Sequence, residues 1–234
     1  MTLPTHVKVE IWSDVVCPWC YIGKRRFEAA LREFPHPVEV EWKSFQLDPT
    51  ATTSPAGAHV GHLAEKYGRS LAEAQAMVDN VTAQAALDGL EFRLDISRSG
   101  NTFDAHRLLH LAKSAGLQDQ LKERFDRGYF TEGEPVDDHG ALTRLAVEVG
   151  LDEVDVKDVL TSERFADDVR SDVAEARALG INGVPFFVID RKYGVSGAQP
   201  AELLRSALEK AQADAPLVTL DGDGEACTDD SCAV

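Results

Sequence analysis

The chain has 234 residues, 44% of them apolar, enough for one large domain or two small ones around a real core. Its formal net charge of −16 argues against nucleic acid as a partner, because binding phosphates needs clustered Lys and Arg. There is no run of about 18 apolar residues, so no membrane-spanning helix and no membrane partner is expected.

Residues 1–6 show no basic region followed by an apolar run, so no secretory signal is read and a cytoplasmic location is expected. Four cysteines fall in two close pairs, Cys17 with Cys20 and Cys227 with Cys232. That is too few for a disulfide scaffold. In a reducing compartment a disulfide is usually transient and catalytic.

Val7-Lys8-Val9-Glu10-Ile11 alternates apolar and polar, the period of a half-buried strand. The Cys17-Pro18-Trp19-Cys20 segment follows. Phe27, Ala30, Leu31 and Phe34 then recur at helical spacing until Pro35 and Pro37 end the helix. Val38-Glu39-Val40-Glu41-Trp42 is a second strand, and parallel pairing across this crossover is expected. Residues 49–57 form a loop rich in Thr, Ser and Pro. Ser70 and Glu73 form a capping box ahead of Leu71, Ala74, Met77, Val78 and Val81, with Gly89 as the stop. Residues 91–94 read as an extended connector. Residues 101–115, 117–130, 138–149 and 162–179 read as helices, punctuated by Gly116, Gly150 and Gly180.

The character changes at Gly183-Val184-Pro185-Phe186-Phe187-Val188-Ile189-Asp190, a β-rich run led by a proline. Residues 191–194 are a turn and Val195-Ser196-Gly197 a return strand. Pro200 opens a last helix carrying Leu203, Leu204 and Leu208. From residue 214 the chain holds six acidic residues and no Lys or Arg. The layout is βαβ, a helical insertion, αββα and an acidic tail.

A Cys-x-x-Cys pair at a helix start is suited to thiol chemistry. Unpaired backbone N–H groups and the positive dipole end stabilise a thiolate, which is expected to lower the Cys17 pKa. The thiolate attacks a disulfide, and a second thiol one turn on resolves the mixed disulfide. Cys17 is thus read as nucleophile and Cys20 as the more buried resolving thiol. Pro18 fits a first helical turn, where its missing N–H costs nothing. Zinc sites and paired core cysteines use the same spacing. The strand before and amphipathic helix after favour redox use. Val184-Pro185 alone reads as an ordinary turn, although X-Pro bonds are the ones that turn cis at modest cost.

Taken together, Ser13-Asp14-Val15-Val16-Cys17-Pro18-Trp19-Cys20, Trp42-Lys43-Ser44-Phe45-Gln46-Leu47, Asn101-Thr102 with Ala105-His106-Arg107, and Gly180-Ile181-Asn182-Gly183-Val184-Pro185-Phe186-Phe187 resemble the DsbA family of thiol–disulfide oxidoreductases, in its FrnE-like branch. The resemblance covers about residues 7–212. It implies an α/β thioredoxin fold, residues 1–50 and 175–213, interrupted by an all-helical domain over 51–174 and followed by the tail, 214–234. It implies a cis Pro185, with Val184 left to pair with an incoming peptide and Pro18 and Trp19 beside the substrate. It implies protein disulfide substrates or dithiols, a thiol reductant or oxidant that recharges the pair, and no cofactor or metal beyond the dithiol itself. His106 and Arg107 are implied to face the active cleft, against the alternative of an ordinary core histidine.

The best-known periplasmic member carries Pro-His between its cysteines, where this chain has Pro18-Trp19. An uncharged Trp19 implies a less oxidising couple, suited to isomerase or reductase work. Lys24, Arg25 and Arg26 either add positive charge near Cys17 or form a solvated helix face. Cys227 and Cys232 leave three readings open: a relay to Cys17 and Cys20, a soft-metal site, or no role. The tail is not a calcium loop, because Ala226 and Cys232 stand where the turn Gly and bidentate Glu belong. His59, His62, His110 and His139 show no metal-ligand spacing. Two other functions compete. One is a glutathione-dependent isomerase or transferase, against which Cys20 argues. The other is a thiol-based metal-binding protein.

Overall fold

The computed structural model describes residues 6–214. The acidic tail with Cys227 and Cys232 lies outside the described residues. The elements run β1 (Val7–Ser13), α1 (Pro18–Glu33), β2 (Val38–Ser44), α2 (His59–Tyr67), α3 (Leu71–Leu87), α4 (Phe103–Ser114), α5 (Gln118–Arg127), a π-helical turn (Gly128–Glu132), α6 (His139–Val149), α7 (Glu153–Thr161), α8 (Ala166–Ala178), β3 (Phe186–Ile189), β4 (Tyr193–Ser196) and α9 (Ala201–Ala213).

The four strands form one mixed sheet in the order β2-β1-β3-β4. β1 and β2 are parallel in register from Val7 opposite Val38 to Ser13 opposite Ser44. β3 runs antiparallel to β1 and to β4. This is the thioredoxin topology, with α2 to α7 inserted between β2 and α8. One sheet face packs on α1 and α9, where Val9, Ile11, Phe27, Phe187, Leu204 and Leu208 form a core. The opposite face buries Trp12 against Ala176, Ile181 and Val188. β1 is therefore buried on both faces, not half-buried as its alternation implied. Its polar groups are satisfied by distant segments: Glu10 is buried against Arg191, and the Trp12 indole N–H donates to the Asp172 carbonyl at 2.9 Å.

A second core fills the helical insertion. α1 joins the two cores because it has two apolar faces. Phe27, Ala30 and Phe34 face the sheet, whereas Tyr21 and Ile22 enter the insertion. Tyr21 stacks there on Phe92 and Phe130, with ring centroids 6.1 and 5.9 Å away. α5 covers the β2 edge: the Gln118 amide accepts the Trp42 N–H at 3.0 Å and donates to the Trp42 carbonyl at 2.9 Å. A side chain thus pairs the backbone as a neighbouring strand would.

The capping box of Ser70 and Glu73 forms as read. α2 and α7 were not legible. α2 has few apolar anchors, and α7 depends on its Asp152 cap, which accepts the Val154 and Asp155 N–H groups. The helix expected over 162–179 starts only at Ala166, because Phe165 takes a left-handed backbone with φ 62°. The helix expected over 117–130 widens into the π-helical turn at Gly128.

Lys24, Arg25 and Arg26 neither face Cys17 nor form a solvated face. Lys24 is buried among Glu28, Asp119 and Glu123; Arg25 pairs with Glu28 and Glu123; Arg26 pairs with Asp88. They dock α1 on the insertion. Burial works against charge on Glu123, but the Arg25 hydrogen bond and the Lys24 charge hold its pKa down at about 2. Glu41 is held at about 2 against burial by Lys113 and Lys8, and Asp172 at about 2 against burial by His110 and Lys43. All three values lie below those of the unfolded chain. Their stabilisation is complete above about pH 4.5 and is lost as pH falls toward 2. Urea midpoints measured from pH 6 to pH 2.5 are expected to drop steeply below pH 4.5, and a flat profile would contradict this ion-pair assignment.

Candidate active site

Cys17 is the N-cap of α1 and Pro18 its first residue. The chain arrives from β1 through a turn in which the Cys17 N–H donates to the Asp14 carbonyl at 3.3 Å. The Cys20 N–H in turn donates to the Cys17 carbonyl at 3.0 Å. Both cysteines are free thiols and both are buried. Trp19 between them is 39% exposed. The sequence motif therefore presents Trp19 outward and places both sulfurs inward, at the helix start.

The peptide bond between Val184 and Pro185 is cis. The Cys17 thiol donates to the Val184 carbonyl at 3.6 Å, which brings two sequence motifs 167 residues apart into contact. Strand pairing of β3 begins at Phe186, so Val184 lies ahead of the ladder. Gly23 of α1 lies behind this loop. A Cβ built there would stand 2.8 Å from Pro185 Cγ. Gly23→Ala is expected to lower stability by about 1–3 kcal/mol through overpacking. That cost opposes a gain of about 1 kcal/mol in helix propensity. Urea unfolding decides the sign, and a net stabilisation would mean that the Pro185 ring yields.

The helix end does not dominate the Cys17 thiol. The hydrogen bond with Cys20, burial and the neighbouring Cys20 charge push its pKa well above the ordinary thiol value. The Cys20 backbone N–H pulls the other way, as expected for a helix N-terminus, and is outweighed; Asp14 adds a further upward push. In the reduced dithiol the direction is upward, against the lowering that the helix end alone would give. The reason is that both sulfurs are out of water and close enough that charge on one opposes charge on the other.

A cleft of about 320 Å³ opens beside Cys17 and Val184, between the start of α1 and helices α2 and α3. Its walls include Val16, Leu63, Val78 and Val81, with His59, His62 and Lys66 on the α2 side. Trp19, Leu47, Tyr67 and Met77 line it and leave apolar surface exposed. These α2 and α3 residues were not assigned to the site from sequence, because their approach to Cys17 is purely tertiary.

The histidines separate by environment. His106 does not line the cleft; it is buried behind Asp14, with Nε2 3.3 Å from the carboxylate. Arg107 holds the carbonyls of Val159, Ser162 and Arg164 and so fastens the turn from α7 to α8. His110 pairs with Asp172 at 3.0 Å, and His139 with Asp104 at 2.8 Å. Among the described residues no group of three or more His, Cys, Asp or Glu is placed to hold a metal ion. None of the described helices is long and apolar enough to cross a membrane.

The chain is similar to a probable DsbA oxidoreductase from Streptomyces coelicolor of known crystal structure, with 50% identity, a TM-score of 0.85, and coverage of 98% of this chain and 99% of that one. An uncharacterized Bacillus subtilis (strain 168) protein, YwbO, is 29% identical over 208 residues, covering 88% of this chain and 98% of its own. The cytosolic disulfide reductase DsbM from Pseudomonas aeruginosa, solved with GSH, shares the fold at 19% identity and a TM-score of 0.61, over 87% of this chain and 98% of that one. The family model of the DSBA-like thioredoxin domain matches residues 8–209, so the chain belongs to the DsbA-like family of thiol–disulfide oxidoreductases.

Proposed function

We propose that the protein is a disulfide reductase or isomerase of polypeptide substrates, with Cys17 attacking and Cys20 resolving. The observation that carries this is the position of the Cys17 thiol, at the α1 N-cap, against the Val184 carbonyl and open to an apolar cleft. A substrate disulfide enters beside Trp19 and Pro18. Cys17 loses its proton and attacks one substrate sulfur, and the other substrate sulfur leaves as a thiolate. Cys20 then attacks Cys17 and releases the reduced substrate, leaving a Cys17–Cys20 disulfide. A thiol reductant recharges it. Isomerisation follows when the departing substrate thiolate attacks elsewhere before Cys20 acts. Val184 and Pro185 offer the backbone edge along which an extended peptide aligns.

The uncharged Trp19 supports reduction or isomerisation over strong oxidation, because it places no cation between the two cysteines to favour the reduced form. A cytoplasmic, reducing setting fits the same reading. The Cys227 and Cys232 pair, outside the described residues, enters this proposal as a relay to the first dithiol.

Cys20→Ser tests the assignment. This variant is expected to accumulate mixed disulfides between Cys17 and client polypeptides, identified by mass spectrometry under non-reducing conditions. Absence of adducts would remove the proposed roles. Adducts with glutathione alone, with turnover retained, would instead favour a glutathione-dependent enzyme.

A further inference from the structure

Asp14 and His106 form a buried pair immediately behind Cys17. Asp14 follows β1, and both side chains are 1% exposed. One Asp14 oxygen accepts the Leu47 N–H at 2.8 Å, and the other faces His106 Nε2 at 3.3 Å. A carboxylate only accepts, so the ring nitrogen facing it, Nε2, is the one that carries hydrogen. Nδ1 is then the open acceptor. It is buried and has no hydrogen-bond partner among the described residues. A buried ring nitrogen without a partner is costly, and a role in proton transfer would account for it.

The chemistry of Cys17 supplies that state. The Asp14 charge opposes ionisation of the Cys17 thiol, since two negative charges would share a dry environment. The other titratable groups around the site stand elsewhere. Tyr129, on the π-helical turn, is bonded to Ser99. Asp48, His59, His62 and Lys66 line the cleft, and Cys20 lies beyond Cys17 on α1. His106 is the basic side chain in contact with Asp14.

We propose that His106 is a positioning residue for the thiol chemistry, gaining a proton at Nδ1 as Cys17 loses one, so that the Asp14 charge is cancelled while the thiolate forms. The Cys17 S–H bond breaks and the sulfur keeps the electron pair. An N–H bond forms on His106. The summed charge of the three side chains is unchanged, and no oxidant or reductant is consumed. The inference rests on Cys17 being the attacking thiol.

The test is the pH profile of Cys17 alkylation by iodoacetamide in the full reduced chain, followed at Cys17 by peptide mass spectrometry. His106→Gln keeps a hydrogen-bond donor toward Asp14 but cannot take the proton. It is expected to slow alkylation at pH 7 about tenfold and to move the midpoint up by about one unit. Asp14→Asn leaves no charge for His106 to cancel, and is expected to keep alkylation at pH 7 within about threefold of wild type. In the Asp14→Asn background, His106→Gln is expected to change nothing further. A wild-type profile in His106→Gln overturns the proposal. So does an equal slowing in both backgrounds, which a packing role for His106 predicts. Should His106→Gln fail to fold, Asp14→Asn alone decides, and a midpoint lowered by about one unit or more overturns the proposal, because the Asp14 charge would then stand uncancelled in wild type. Missing adducts in Cys20→Ser refute the exchange reading without moving these profiles, so the two failures are distinguishable.

Discussion

Cys17→Ser is expected to lower disulfide exchange to the uncatalysed rate while leaving the fold intact. A hydroxyl at this position cannot form the mixed disulfide through which exchange proceeds. The structural cost is small. Cys17 serves as an N-cap without a side-chain cap hydrogen bond, and Ser is a favoured N-cap residue. Activity and stability are thus predicted to separate completely. Reduction of a disulfide-bonded polypeptide gives the activity, and urea unfolding the stability. Residual activity above a few per cent of wild type would show that another thiol of the chain can attack. A matching loss of stability would show that the Cys17 thiol is structural.

The largest stability effect is expected at Asp126. Lys122 and Asp126 stand one turn apart on α5 and are both fully buried. The Lys122 ammonium also lies 5.3 Å from the centroid of the Trp42 ring. Burial pushes the Asp126 pKa up to about 6, against the pull of Lys122. Asp126→Ala leaves Lys122 buried without its counter-ion, and is expected to cost about 3–5 kcal/mol. That is a large share of the roughly 5–15 kcal/mol that holds a domain together. Lys122→Met should cost less below pH 6, because the remaining carboxyl can neutralise itself by taking a proton. The double change Lys122→Met with Asp126→Leu should recover much of the loss. Urea unfolding of the three variants at pH 5.5 and pH 8 checks the order. Equal costs for both single variants at both pH values would contradict the paired-charge account.

Period and punctuation carried most of the secondary structure. β1 and β2 alternate, α1 repeats its apolar stripe until Pro35, and Ser70 with Glu73 announces α3. The helices that escaped, α2 and α7, have nine residues each; α2 buries only Ala64, and the Val156, Val159 and Leu160 stripe of α7 spans a little over one turn. The start of α8 escaped because Phe165 occupies a left-handed conformation that its residue type does not announce.

The chemistry of the site divides in the same way. The Cys17-Pro18-Trp19-Cys20 spacing at a helix start, read from the chain alone, already named a dithiol and its two thiols. What the thiols experience was decided by tertiary structure. The helix amide lowers the Cys17 pKa as local reasoning requires, yet burial and the nearness of Cys20 outweigh it. Lys24, Arg25 and Arg26 lie within two turns of Cys17 in sequence, but their charges are consumed by Glu28, Glu123 and Asp88. Conversely, His106 is brought to Asp14, and His59 and Met77 to the Cys17 cleft, from three helices that no local pattern connects. Local backbone chemistry acts over one helical turn and is legible in sequence. Desolvation and charge pairing depend on which segments fold against each other, and these set the state of Cys17.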